Sequence, residues 1–109
     1  MAAPVDLMQG TLEFLILKTL SWDPMHGFAI GRWIRKQTDD ALEIEEGALY
    51  PALHRMERKG WVESEWGVTD TNRRARFYRL TPVGRKRLGV EVDNFDRVVA
   101  AITRVLQTS

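Results

Sequence analysis

The chain predicts a mainly α fold of the α+β kind, with three short helices and one β-hairpin ahead of a long helix. Three observations predict it. Residues 46–61 carry Leu49, Ala52, Leu53 and Met56 at helical spacing, so one face of that segment is built to be buried. After Gly60 the apolar period falls to two, through W-V-E-S-E-W, a turn-rich stretch and A-R-F-Y-R-L. From Pro82 onward no further proline occurs, while Leu88, Val92, Phe95, Val99, Ile102 and Leu106 recur at spacings of 4, 3, 4, 3 and 4, a heptad seam.

Each element follows from local chemistry. Gly10 and Thr11 can cap a first helix over residues 11–21. Its stripe of Leu12, Leu15, Ile16 and Leu20 is widened by Phe14 and Leu17, so it needs two partners, its own core and another subunit. Trp22-Asp23-Pro24 interrupts the pattern, and a second helix over residues 27–37 turns Ile30, Trp33 and Ile34 inward. Asp39 and Asp40 end it. Leu42 and Ile44 alternate with Glu43, as in a short strand or an extended approach. The third helix has Glu45 and Glu46 at its positive end, Gly47 as cap and Pro51 in or just after the first turn. Arg58 and Lys59 suit its other end, and Gly60 suits the left-handed residue that stops it.

Hairpin strands are expected over residues 61–66 and 75–80, joined by G-V-T-D-T-N. Trp33, Trp61 and Trp66 are expected to anchor the core or flank that hairpin. Thr81-Pro82 is a cap followed by proline at the first helical position, and the helix it starts runs about 39 Å. Gly84 and Gly89 are mild weak points in it. The expected division is a winged helix-turn-helix unit over residues 1–81 and a dimerisation helix over 82–109.

Composition narrows the function. At 109 residues, one domain with a single core is expected. The absence of cysteine rules out disulfides and thiolate zinc sites, and His26 and His54 have no carboxylates arranged beside them, so no metal or cofactor is expected. No signal peptide or membrane span is legible, which predicts a cytoplasmic protein. No nucleophile–base pair, paired carboxylates or phosphate-cradling loop points to an enzyme.

Net charge is only +1, but its distribution is uneven. Arg73, Arg74, Arg76, Arg79, Arg85, Lys86 and Arg87 form a stretch without an acid, and the acids gather at Asp39, Asp40, Glu43, Glu45 and Glu46. A basic patch of that kind binds phosphate even on a nearly neutral protein. On the third helix the outward face carries Ala48, Tyr50, Pro51, His54, Arg55 and Arg58. Small and aromatic groups come first and cations later, as a helix in a DNA major groove requires. Arg73, Arg74 and Arg76 lie at the hairpin tip, where a wing meets the backbone or a narrow minor groove. Arg85, Lys86 and Arg87 are expected mainly to solubilise the start of the long helix.

The segments G-T-L-E-F-L-I-L-K-T-L (10–20), H-G-F (26–28), G-A-L-Y-P-A-L-H-R-M-E-R-K-G (47–60) and R-R-A-R-F-Y-R-L-T-P-V-G (73–84) resemble the PadR family of transcriptional regulators. The likeness runs from about residue 8 to residue 87. The resemblance implies a homodimeric winged-helix repressor of the short type, with a single C-terminal helix. It also implies relief by a small aromatic or drug-like ligand, as in some members. Phe28 stands where the family often has tyrosine, and Asp70 sits in a wing that is often basic or glycine-rich.

The expected partners are therefore a second copy of the chain and a pseudo-palindromic operator in double-stranded DNA. The expected dimer interface comprises Leu12, Leu15, Ile16, Leu88, Val92, Phe95, Val99, Ile102 and Leu106. Phe95 is the one aromatic residue of the seam; with Val92 and Val99 it is the candidate wall of an aromatic-ligand site. The alternative is a protein-interaction winged helix without DNA binding, which the acidic run before the third helix would suit.

Overall fold

The computed structural model describes residues 9–108. Its elements are α1 (Gln9–Leu20), β1 (Met25–His26), α2 (Gly27–Gln37), α3 (Glu46–Arg58), β2 (Val62–Val68), β3 (Arg74–Leu80) and α4 (Pro82–Leu106). The order is the expected one, with β1 added. That strand is two residues long, too short to leave a periodicity, and it pairs antiparallel with β3 (Met25 with Tyr78, His26 with Phe77). The sheet order is β1-β3-β2, so the hairpin's second strand is central. Leu42 and Ile44 form no strand; they are an extended approach packed against the core.

The core collects the apolar stripes of α1, α2 and α3 under the sheet. Leu49, Ala52, Leu53 and Met56 of α3 are all buried, against Ile16 and Leu17 of α1, Ile30 and Ile34 of α2, Val62 and Tyr78. Gly10 and Thr11 lie inside α1 rather than capping it. The expectation that Leu12 and Ile16 face another subunit is corrected: they are 4% and 0% exposed within their own chain. The reason is that α1 is central, touching α2, α3, β3 and α4, so its wide apolar face is covered without a partner. Leu15 is half-buried against the same core.

Two helix starts also differ. The cap of α3 is Glu45, without a side-chain bond, and Gly47 lies inside the helix. Pro51 therefore sits in the second turn, where its missing N–H removes one backbone bond. At the far end Gly60 has φ +77°, as expected of a residue that stops a helix.

The start of α4 is tied to the link between α3 and β2. Thr81 Oγ1 accepts from Gly84 N at 3.0 Å, and the Thr81 N–H donates to the Trp61 carbonyl at 3.1 Å. Gly84 is not a mild weak point but a close approach: a Cβ there would stand 1.9 Å from the Trp61 carbonyl oxygen. Beyond Leu88, which packs on the core, the seam residues Val92, Phe95, Val99, Ile102 and Leu106 are exposed. Phe95 alone of these has an aromatic neighbour, Phe14 of α1, with ring centroids 5.4 Å apart.

Candidate nucleic-acid interface

Burial of four residues on one side of α3 fixes what the other side presents. Ala48, Tyr50, Pro51, His54 and Arg58 are exposed. Arg55 is not on that surface in the expected way. Its Nε donates to Glu13 Oε1 at 3.1 Å, and Lys59 approaches the other oxygen at 3.5 Å. Glu13 is 6% exposed, and a carboxylate that far from water needs cations beside it. Arg55 is thus committed to holding α3 on α1.

The hairpin carries the second group. Its tip is held by bonds from Thr69 N to the Arg73 carbonyl (2.8 Å) and from Arg73 N to Thr69 Oγ1 (3.1 Å), with Asn72 left-handed at φ 63°. Arg73, Arg74 and Arg76 are exposed on or beside it. Trp66 was expected in the core or at the hairpin flank; it is 56% exposed, whereas Trp33 and Trp61 pack against the core. Its ring lies under Arg74 and Arg76, whose guanidinium carbons stand 4.7 and 5.4 Å from the ring centre. Such cation–π contacts limit where two long side chains can point. Arg76 also donates to Ser64 Oγ at 3.1 Å, and Ser64 in turn donates to Glu57 at 2.7 Å. Among the described residues Arg58, Arg73 and Arg74 make no ion pair, while Arg79 is paired to Glu63 and Arg87 to Glu91.

The two groups face one another across an open cleft of about 830 Å³. Tyr50 and His54 of α3 form one wall, and Trp66, Arg73, Arg74 and Arg76 form the other. Residues from the start of α2 close one end. The ring of Tyr50 lies on Gly27, where a Cβ would be 2.7 Å from it. Burial, and then the nearby Glu46 carboxylate, push the Tyr50 phenol above the usual tyrosine range, so it stays a neutral donor.

Sequence reasoning did not single out His26, Phe28, Arg32 or Tyr78 for this cleft, although all four line it. Phe28 and Arg32 are four apart on α2 and meet as a cation–π pair at 5.7 Å, a spacing that was available as a signal. Tyr78 had no such signal, because its place depends on the sheet. The candidate ligand residues Val92, Phe95 and Val99 lie on α4 and form no part of the cleft. Among the described residues no cluster of histidine or carboxylate groups is arranged for a metal, and no helix is long and apolar enough to cross a membrane.

The chain is similar to a transcriptional regulator from Clostridium thermocellum at 29% identity and TM-score 0.83, over 94% of this chain and 97% of that one. It is similar to a PadR family transcriptional regulator from Eggerthella lenta at 28% identity and TM-score 0.78, over 93% and 86% of the two chains. A transcriptional regulator from Mycobacterium tuberculosis is 41% identical over 59 residues, which is 53% of this chain and 54% of that protein. The pattern described as "Transcriptional regulator PadR-like family" matches residues 16–90, well over half the chain. Members of that family are transcriptional regulators, not enzymes. This chain therefore belongs to the PadR-like family of transcriptional regulators.

Proposed function

We propose that two copies of this chain pair through α4 and bind a pseudo-palindromic operator in cytoplasmic double-stranded DNA, acting as a repressor. The observation that carries this reading is the pairing of two surfaces on one cleft: the uncharged, aromatic start of α3 and the arginines of the wing. Ala48, Tyr50, Pro51, His54 and Arg58 meet the major groove in this reading. Arg73, Arg74 and Arg76 meet the backbone and the adjacent minor groove.

The dimer reading is supported by α4. Val92, Phe95, Val99, Ile102 and Leu106 are between 38% and 77% exposed and lie on one heptad seam. A continuous apolar strip of that kind is stabilised by a second copy of itself. Leu88 and Leu15, partly buried against the core, complete the interface in this reading. A small planar aromatic ligand inserted beside Val92, Phe95 and Val99 would change the angle between the two heads and relieve repression.

In vitro selection from random duplex DNA, read at two salt concentrations, tests the main claim. The expected product is a two-fold site with half-site centres about one helical turn apart, ~10–10.5 bp. Enrichment of no sequence, or a protein that stays monomeric at micromolar concentration, would overturn it. The ligand claim is tested by titrating planar aromatic compounds against wild type and Phe95→Ala. Equal binding by both removes Phe95 from the site.

A further inference from the structure

The cleft between α3 and the wing has a floor as well as walls, and the floor is Tyr78. Its side chain is 1% exposed in the centre of the sheet, yet it borders the cleft. Among the described residues no hydrogen bond reaches its hydroxyl, and that oxygen is not sealed from solvent. Burial first, then the Glu57 carboxylate, push its phenol above the usual range, so the group is a neutral donor. A hydroxyl that opens onto a cleft and has no protein partner donates to water or to whatever acceptor enters the cleft.

What enters is set by duplex geometry. A sugar–phosphate ridge divides the major groove from the minor groove beside it. A protein that places a helix in the first and a wing at the second must receive that ridge between them. In this chain the space between them is lined by Arg32, Arg73, Arg74 and Arg76 with Asp70 as its one carboxylate, so it favours an anion. The positive end of α2 opens onto the same space, starting at Gly27. A phosphodiester oxygen accepts hydrogen bonds and donates none, which matches a floor hydroxyl that has only water to donate to in the free protein.

We propose that Tyr78 is a DNA-binding residue: its hydroxyl donates to a non-bridging oxygen of the backbone ridge seated between α3 and the wing. This rests on the DNA-binding reading above. It adds a contact from the core of the sheet, at a residue whose side chain is otherwise part of the fold. Because the hydroxyl is recessed, it registers how deeply the ridge is seated, which surface arginines on flexible stems do not.

The test is fluorescence anisotropy with a selected operator duplex, comparing wild type with Tyr78→Phe. The exchange keeps the ring and deletes only a hydroxyl with no partner, so thermal stability is expected to hold. Affinity is expected to fall about tenfold, as for a hydrogen bond to a charged acceptor. A scan of neutral methylphosphonate linkages then locates the contact. The penalty of Tyr78→Phe should vanish at one or two adjacent linkages and persist at all others. Wild-type binding that Tyr78→Phe leaves unchanged, or a penalty that no methylphosphonate removes, overturns the phosphate seat alone. Wild type that binds no duplex overturns the DNA reading and the seat with it. Should the variant fold poorly, the scan on wild type still decides. A linkage whose neutralisation costs more than its neighbours, and costs no less in Arg73→Ala, Arg74→Ala and Arg76→Ala, supports the seat; a flat profile, or a penalty that one of those variants removes, overturns it.

Discussion

Arg55 and Arg58 are three residues apart on α3, both basic, and they do different work. Arg55 sits beside Glu13, which is 6% exposed, and shares it with Lys59. Arg58 is exposed and has no ion-pair partner among the described residues. Arg55→Ala leaves a buried carboxylate with one distant cation and is expected to cost about 2 kcal/mol, discounted for the partial exposure of the arginine. In a domain of this size that lowers the melting temperature by roughly 10 °C. Arg58→Ala is expected to leave the melting temperature unchanged. It should instead weaken DNA binding and reduce the log–log salt slope by about 1 if it meets a phosphate. Calorimetry and a salt titration on the same two variants separate the roles. The sequence placed both arginines on one outward face. It offered no signal for the difference, because Glu13 lies 42 positions from Arg55 and its burial depends on α1 packing against α3.

Two tyrosines make a pH prediction at the same scale. Burial raises Tyr50 and Tyr78 above the ordinary tyrosine value in the folded chain. The unfolded chain ionises first, so their stabilisation is complete below about pH 10 and is lost as pH rises through the folded values. Melting temperatures from pH 8 to 11 should therefore fall less steeply in Tyr78→Phe than in wild type. Parallel curves would show that Tyr78 does not contribute.

At the scale of elements, the junction of hairpin and α4 decides where the long helix points. Thr81 caps α4, and Gly84 lets its first turn lie on the Trp61 carbonyl. Thr81→Ala is expected to cost about 1 kcal/mol by losing the cap. Gly84→Ala is expected to cost more, at least about 2 kcal/mol, because the added methyl meets backbone rather than a side chain that can turn aside. Urea denaturation of the two variants checks the order. The cap and the proline were legible in Thr81-Pro82, since capping is local. The close approach was not, because it joins residues 61 and 84 through the fold. The same division explains the strands: the hairpin showed its period of two, whereas β1 exists only because β3 offers it an edge.

At the scale of the molecule, the seam of α4 beyond Leu88 carries exposed apolar side chains. Val99 is 43% exposed and makes no part of the core, so Val99→Asp is expected to leave the fold of one chain intact. It places like charges face to face in the proposed dimer. Sedimentation equilibrium at micromolar concentration should find monomer where wild type is dimer. Operator affinity should fall by about 100-fold or more, because the second head no longer binds at the effective concentration set by the first. Unchanged association by Val99→Asp would place the dimer contact elsewhere.

The chain by itself determined the order of helices and hairpin, the buried side of α3, the heptad seam and the basic tip of the wing. Each is a matter of residues near one another in sequence, where period, caps and turn chemistry act. Only the tertiary structure decided that Leu12 and Ile16 serve the chain's own core, that Arg55 is held by Glu13, and that Trp66 lies outside under two arginines. It alone brought Tyr78 to the floor of the cleft. The reason is the same in each case: burial and pairing belong to the space between elements, and that space is defined only once they pack.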